Sequence, residues 1–240
     1  MLSAHGVLAA SISKGSGDPE DPAQVQAMQM AINLPKQDPP ARNAMLVDAA
    51  RAALLVCLDE RAERDGFWRE RLEAWYSRRI RKVTRRARNK AWDDVQALPG
   101  VTVGSVRAFV PCAVSEVPHA LSKLQIRGTD LPADEGPLPF DRSLPTIIVD
   151  ASLEMTAGKA AAQVGHASML YAASLPEAEI REWVVAGCPL NVREVTGERF
   201  AACVADPRAV PVRDAGFTEV APGSTTVLTL PPGAYTPQAQ

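Results

Sequence analysis

The run of residues 146–171 restricts the fold of this chain more than any other part of the sequence. Residues 146–149 form a continuous apolar run of the kind found in buried parallel strands. The stretch that follows, residues 156–171, has helical spacing, and Thr156 stands where a helix N-cap is expected. A buried strand that leads into a helix indicates an α/β fold, because parallel strands need such crossovers.

Three polar side chains share one stripe of this predicted helix. Lys159, Gln163 and His166 stand at positions i, i+4 and i+7, so they point in the same direction. Gly158 lies in the first turn, where backbone N–H groups have no helical partner and the helix end is positive. A lysine beside such a helix end suits a negatively charged group.

Turns near the C-terminus offer a carboxylate and several hydroxyl groups. Asp214 follows a predicted strand and precedes Gly216, and Thr218 lies in the turn that follows. Residues 225–230 alternate with β-branched side chains and predict a closing strand that contains Thr226. Functional groups are commonly found on such turns, because a rigid scaffold positions them.

These two segments together resemble the archaeal and eukaryotic type of peptidyl-tRNA hydrolase, the second class of that activity. Residues 158–167 are similar to the family's first-helix motif, and residues 214–227 are similar to its second motif. The resemblance implies a small mixed sheet of four strands with helices on both faces. It also implies hydrolysis of the ester bond of peptidyl-tRNA by direct attack of water, with no cofactor and no metal.

The resemblance assigns five residues to catalysis. Lys159 would stabilise the oxyanion, and Asp214 would hold or deprotonate the attacking water. The hydroxyls of Thr218 and Thr226 would orient water or substrate, and His166 is a further catalytic candidate. Gln163 and Gly158 would bind substrate. Each residue also has a purely structural interpretation, as a solvated lysine, a turn-forming aspartate, a strand threonine or a histidine at the edge of the core.

Basic side chains are concentrated in the first half of the chain. The net charge is −2, so the overall charge points to no partner, but residues 61–90 hold many more basic than acidic side chains. Such a run is typical of a polyanion-binding patch, and the alternative is a solvated face. The candidates for contacts with the phosphates of tRNA are Arg78, Arg81, Arg85, Arg86 and Arg88.

The chain divides into four predicted regions. These are a disordered tail (1–24), an N-terminal α+β domain (25–127), a linker rich in Pro and acidic residues (128–143) and the hydrolase-like domain (144–235). In the N-terminal domain we expect a strand (28–34), helices (44–61, 67–76 and 91–98), a strand (101–110), and a strand or helix over 80–87.

The order of strand, helix, tryptophan-bearing helix and strand occurs in both halves. The N-terminal domain is therefore interpreted as a degenerate copy of the hydrolase-like fold that lacks its motif residues, and the alternative is an unrelated helical domain. The family is usually dimeric, so we expect a homodimer or an intrachain pseudo-dimer.

One departure from the family pattern is expected in the second half. A helix is predicted over 177–186, and strands over 190–195 and 200–204. Only residues 205–209 would then separate the second strand from the third, too few for the helix that the family has there. A fold that lacks this helix could have lost its activity. The alternative function is therefore that of a non-catalytic tRNA or ribonucleoprotein-binding module.

Other function classes lack a signal. The sequence has no Ser-His-Asp or Gly-x-Ser-x-Gly pattern, and its four cysteines have no metal-ligand spacing, so we expect buried, reduced thiols. No apolar run is long enough to span a bilayer, and the start lacks the basic region of a signal peptide. We therefore expect a cytoplasmic protein with no membrane contact.

Overall fold

The computed structural model describes residues 3–12, 17–214, 221 and 223–237. In chain order, the elements are α1 (Ala4–Ile12), β1 (Gln26–Asn33), α2 (Arg42–Cys57), α3 (Phe67–Tyr76), β2 (Lys82–Ala87), α4 (Lys90–Val95), β3 (Gly100–Val103), β4 (Val106–Phe109), β5 (Cys112–Ala113), α5 (His119–Ser122), β6 (Thr146–Asp150), α6 (Ala157–Ser174), α7 (Glu177–Val185), β7 (Asn191–Val195), α8 (Gly197–Ala205), β8 (Val210–Arg213) and β9 (Thr225–Leu230).

The strands form two mixed sheets with the same topology. The first sheet has the order β2-β1-β4-β3, with β5 paired to β1, and the second has the order β7-β6-β9-β8. The parallel pairs are β1 with β2 and β6 with β7, and in each case two helices connect the two strands. The other pairs are antiparallel. The predicted α/β class and the four-stranded mixed sheet are therefore confirmed, and the N-terminal region repeats the strand order of the C-terminal one.

The tryptophan-bearing helices make equivalent contacts in the two halves. The indole of Trp75, in α3, donates to the carbonyl of Arg81 at 3.2 Å, and the indole of Trp183, in α7, donates to the carbonyl of Pro189 at 2.8 Å. Both carbonyls lie just before the parallel strand that follows, so each indole fixes the entry of its chain into the sheet. This shared detail supports the interpretation of the N-terminal region as a copy of the same fold.

Helices α2 and α6 pack against each other through an approximate twofold relation. An added Cβ at Gly165, the ninth residue of α6, would lie 3.0 Å from the Cβ of Ala53, the twelfth residue of α2. Conversely, Ser168, the twelfth residue of α6, donates its hydroxyl to the carbonyl of Ala50, the ninth of α2, at 2.8 Å. One hydrophobic core contains side chains from both helices and both sheets. The two halves therefore stabilise each other through buried contacts.

The expected absence of a helix before β8 is wrong. Residues 200–204, predicted as a strand, belong to α8, which follows β7 directly. Phe200 and Cys203 are both buried at helical spacing and pack with Ile148 and Leu228 on the sheet face opposite α6. The short apolar stretch fits both the strand period and the helix period. The helix forms because its apolar side chains pack on the sheet face that α6 leaves exposed. Helices therefore cover both faces of this sheet, and the fold does not lack this helix.

The prediction of a disordered tail is wrong for residues 3–12. They form α1, in which Leu8 is 1% exposed, and His5 Nε2 lies 3.0 Å from the carbonyl of Ala172 at the end of α6. Packing on α6 and α3 stabilises a segment whose own composition gives little indication of a helix.

The predicted strand over 101–110 is a hairpin of β3 and β4, and the ambiguous stretch 80–87 contains β2. The hairpin turns at Gly104, which has a φ of +47°. A side chain there would overlap the carboxylate of Asp48, which accepts the N–H of Ser105 at 2.8 Å. A glycine is needed for both reasons.

The expected linker contains no strand or helix, but part of it is closely packed. Thr129 is 2% exposed and Leu131 is 8% exposed. The side chain of Arg42, at the start of α2, donates to the carbonyl of Leu131. Cysteines 57, 188 and 203 are buried thiols, while Cys112 is only half-buried. Among the described helices, none is long and apolar enough to cross a membrane.

Candidate active site

The first turn of α6 holds Lys159 beside the carboxyl end of β6. Thr156 is the N-cap, and its hydroxyl accepts the N–H of Lys159 at 3.2 Å, as the sequence predicts. The backbone N–H of Gly158 donates to the hydroxyl of Thr129 at 3.1 Å. The orientation of this turn is therefore fixed from both sides before any ligand binds.

Asp214 lies directly after β8, where the β8–β9 hairpin leaves the sheet. Its N–H donates to the carbonyl of Ser224 at 2.9 Å, and its carbonyl accepts the N–H of Gly223 at 2.7 Å. These two bonds extend the antiparallel ladder by one step. The carboxylate is thus carried by a hydrogen-bonded backbone.

Lys159 and Asp214 form an ion pair. Nζ of Lys159 lies 2.5 Å from Oδ2 of Asp214, and the two side chains are 11% and 9% exposed. The pair is 55 residues apart in sequence and brings together the helix stripe and the C-terminal turn. Because the charges are largely shielded from water, each acts on nearby atoms more strongly than it would on the surface.

Gln163 and Thr226 extend this pair into a network. Gln163 Nε2 donates to the same Asp214 Oδ2 at 2.6 Å, and the Thr226 hydroxyl donates to Gln163 Oε1 at 2.7 Å. Thr226 is fully buried and Gln163 is 4% exposed. The hydroxyl of Thr226 therefore acts through the glutamine amide, because it orients the amide so that its NH₂ faces the carboxylate.

His166 does not contact Asp214 in the structure, although it lies on the same stripe. Its Nδ1 is 3.1 Å from Nζ of Lys82, which comes from β2 of the N-terminal half. Burial lowers the pKa of His166 well below its usual value, and the charges of Lys82 and Lys159 lower it further. A lowered pKa makes the imidazole a weak base, and its Nδ1 already faces the ammonium of Lys82. The catalytic role of His166 stays a prediction.

None of the five predicted tRNA-contacting arginines has a described contact with Asp214, and four of them have described side-chain contacts within the protein itself. Arg78 lines a cavity of about 530 Å³ together with His166, and Arg81 pairs with Asp18. The other three contact the following groups: Gln29 and the Leu124 carbonyl for Arg85, Gln125 and the Gly128 carbonyl for Arg86, and the Leu34 carbonyl for Arg88. Their role in substrate binding stays a prediction.

Two predicted residues differ from expectation in another way. Gly158 is buried and its N–H is bound by Thr129, so it does not offer this group to a substrate anion. Thr218 lies outside the described residues, and its predicted role is not addressed by the structure. Within the described part of the chain, no group of three or more His, Cys, Asp or Glu could hold a metal ion.

Sequence reasoning missed Lys82 and Thr129. Lys82 packs its aliphatic stem against Gly165, where an added Cβ would lie 3.3 Å from Lys82 Cδ and Cε, and its ammonium lies 5.3 Å from the centre of the Trp75 ring. Lys82 belongs to the basic run and Thr129 to the predicted linker, so neither carried a local signal. Only a comparison of the helix face with distant strands could have found them.

Among the described residues of the N-terminal half, no ion pair occupies the position equivalent to Lys159 and Asp214. Ala44 is the third residue of α2, as Lys159 is of α6, and residues 104–105 form a tight turn where the C-terminal sheet has residues 214–224. A contact between helix α2 and the β3–β4 hairpin is still present, because Ser105 donates to the carboxylate of Asp48. The charged pair is therefore present in one half, although both halves have the same strand order.

Comparisons with known proteins place the C-terminal half in a family. The profile of the family described as Peptidyl-tRNA hydrolase PTH2 matches residues 145–237. A protein of Haloquadratum walsbyi (strain DSM 16790 / HBSQ001) named Peptidyl-tRNA hydrolase is 34% identical over 93 residues, which cover 36% of this chain and 82% of that protein. The family match falls on the half that carries Lys159 and Asp214.

Proposed function

Because this chain belongs to the Peptidyl-tRNA hydrolase PTH2 family, we propose that it hydrolyses the ester bond of peptidyl-tRNA to release free tRNA and peptide. The single observation that carries the proposal is the shielded network of Lys159, Asp214, Gln163 and Thr226 at the edge of the C-terminal sheet. The proposal includes the cytoplasmic location expected from the sequence, because translation supplies the substrate there.

The reaction needs an activated water and a positive charge for the oxyanion. In the proposed mechanism, a water held by the carboxylate of Asp214 attacks the ester carbonyl carbon, and Asp214 accepts its proton. The ammonium of Lys159 stabilises the negative charge that develops on the carbonyl oxygen. The bond to the terminal ribose then breaks, the ribose oxygen takes up the proton, and the products are a peptide carboxylic acid and a tRNA hydroxyl.

The shared oxygen of Asp214 gives the network its proposed function. Both Lys159 and Gln163 donate to Oδ2, which fixes the plane of the carboxylate without a contribution from the substrate. A preorganised charge of this kind costs little reorganisation when the transition state forms. Asp214 and Lys159 would therefore act as one unit, and loss of either should cost nearly as much as loss of both.

Helix α6 lies beside one strand of each sheet, and both strands carry basic side chains. This arrangement suggests a path for the tRNA. The helix contacts β8 of its own sheet and β2 of the N-terminal sheet. Lys82 and Arg86 lie on the same side of β2, where Lys82 contacts His166 of α6 and Arg86 contacts the Gly128 carbonyl. Arg85 lies on the other side and contacts Gln29 and the Leu124 carbonyl. We propose that the acceptor end of tRNA approaches between β8 and β2, and that Arg86 is the cation best placed to bind its phosphates.

A hydrolysis assay on purified peptidyl-tRNA tests the proposal, with free tRNA separated from intact substrate. Lys159→Met and Asp214→Asn should each lower kcat by about 10² to 10³-fold, as expected for loss of an oxyanion donor or a positioned base. Lys36→Met, at an exposed lysine outside residues 61–90, is the matched control and should retain wild-type activity.

The same assay separates hydrolysis from the alternative of a non-catalytic tRNA-binding module. A wild-type protein that binds tRNA but releases none from the substrate would reject the hydrolase proposal. The main reason for that alternative was the missing helix before β8, and α8 occupies that position. No other observation favours it.

A further inference from the structure

The first turn of α6 is held by contacts from outside its own sheet. The hydroxyl of Thr129 accepts the N–H of Gly158, and the guanidinium of Arg42 donates to the carbonyl of Met155 at 3.0 Å. Met155 directly precedes the N-cap residue Thr156, and Gly158 directly precedes Lys159. Arg42 belongs to the N-terminal half, and Thr129 belongs to the segment that joins the two halves.

The segment that supplies Thr129 is anchored at several points. We call residues 128–134 the strap. Arg86 donates to the Gly128 carbonyl at 3.1 Å, Arg42 donates to the Leu131 carbonyl at 3.3 Å, and Asp134 accepts the backbone N–H groups of Arg42 and Asn43 at 2.9 and 2.6 Å. The strap therefore caps the start of α2 through Asp134 and the start of α6 through Thr129.

The contact between Thr129 and Gly158 is close and shielded from water. Thr129 is 2% exposed, and Gly158 is buried as well. An added Cβ on Gly158 would lie 2.6 Å from the Thr129 hydroxyl oxygen, so the lack of a side chain at Gly158 permits the approach. If this acceptor were removed, a buried N–H at the start of the helix would lose its bond, and the first turn would have to shift to regain one.

We propose that Thr129 is a positioning residue for Lys159: through the Gly158 amide, the strap holds the first turn of α6 where the lysine ammonium meets Asp214. The inference rests on the proposed hydrolase function for its effect on turnover. In this arrangement the N-terminal half, whose described residues include no equivalent charged pair, contributes to the site of the other half. A displacement of about 1 Å at reacting groups can cost up to about 10²-fold in rate, so a local change in this turn should be measurable.

The test compares Thr129→Val with Thr129→Ser in the full-length chain. Valine keeps the shape but removes the acceptor, and serine retains it. Thr129→Val should lower kcat about tenfold while KM changes less than about twofold, and Thr129→Ser should restore kcat. Thr84→Val is the matched control, because the Thr84 hydroxyl is buried and has no hydrogen-bond partner among the described residues. It should leave kcat unchanged.

Two measurements that do not depend on turnover complete the test. Hydrogen exchange of the Gly158 amide should accelerate in Thr129→Val, and the ¹⁵N-ammonium resonance of Lys159 should shift or broaden. Neither should change in Thr129→Ser or Thr84→Val. An unchanged Lys159 resonance in Thr129→Val, or a serine variant as impaired as the valine variant, would overturn the inference even if the wild type hydrolyses its substrate. If the wild type shows no hydrolysis, the function proposal fails, and the resonance alone decides on the positioning role.

Discussion

The half-buried Lys82 of β2 allows a quantitative prediction about stability and pH. Burial lowers the pKa of Lys82 to about 7, from an ordinary value of 10.5. The ammonium lies beside Nδ1 of His166 and over the ring of Trp75. Its surroundings include the Cys57 thiol, whose pKa burial raises to about 11. Because the unfolded chain restores the ordinary pKa of the lysine, folding and protonation are linked at this residue.

The sign of the effect follows from the protons bound in each state. Below pH 7 the lysine is charged in both states, and the full cost of burying it reduces the free energy of unfolding. Between pH 7 and 10.5 the unfolded chain binds the additional proton, so the free energy of unfolding rises with pH. At about 1.4 kcal/mol per fully bound proton and pH unit, this rise is about 1.7 kcal/mol from pH 7.0 to 8.5.

Lys82→Met removes the titrating group and retains an unbranched apolar side chain. We expect the rise between pH 7.0 and 8.5 to disappear, and we expect the variant to be at least as stable as the wild type at pH 7.0. Urea denaturation at the two pH values measures both quantities, with Lys90→Met as the exposed control. The range stops at pH 8.5 because the buried thiol of Cys57, with its raised pKa, destabilises the fold above about pH 9. A variant that keeps the wild-type slope would show that Lys82 is charged in the folded state, and the reasoning would be rejected.

Further predictions concern packing, the network and the basic strand. Gly165→Ala should destabilise the protein by about 1 kcal/mol net in urea denaturation, because the overlap with the Cβ of Ala53 costs about 1–3 kcal/mol and the gain in helix propensity offsets about 1 kcal/mol; Ala53→Gly in the same chain should relieve the overlap. Thr226→Val should lower kcat about tenfold by freeing the glutamine amide, while Thr226→Ser keeps most activity; equal activities would contradict the network. Arg86→Ala should raise KM more than it lowers kcat and reduce the salt dependence of KM; unchanged values would exclude a phosphate contact.

The strand and helix periods of the C-terminal half could be predicted because their signals are local. The stripe of Lys159 and Gln163, the N-cap at Thr156 and the strands around Asp214 all follow from the spacing of neighbouring residues. The prediction failed at α8, where a short apolar stretch satisfies two periods. There the uncovered face of the sheet decides between them, and that face is built by strands distant in sequence.

Contacts between the halves could not be predicted in the same way. His166 has the spacing of a site residue, yet the strand that lies beside it is β2, and the resulting contact with Lys82 spans 84 residues. Gly158 has the position of an anion-binding glycine, yet Thr129 binds its N–H. In both cases the helix face is fixed by the sequence, whereas the group that packs on it depends on how the two sheets enclose α2 and α6.

The amino-acid sequence by itself determined which side chains share a helix stripe and which lie on the neighbouring turn, because those relations depend only on the repeat of the backbone. Tertiary structure decided which of them meet: Lys159 and Gln163 reach Asp214, while His166 faces the other half. The physical reason is that burial and charge pairing act between residues far apart in the chain, and a local pattern specifies neither the partner nor its distance.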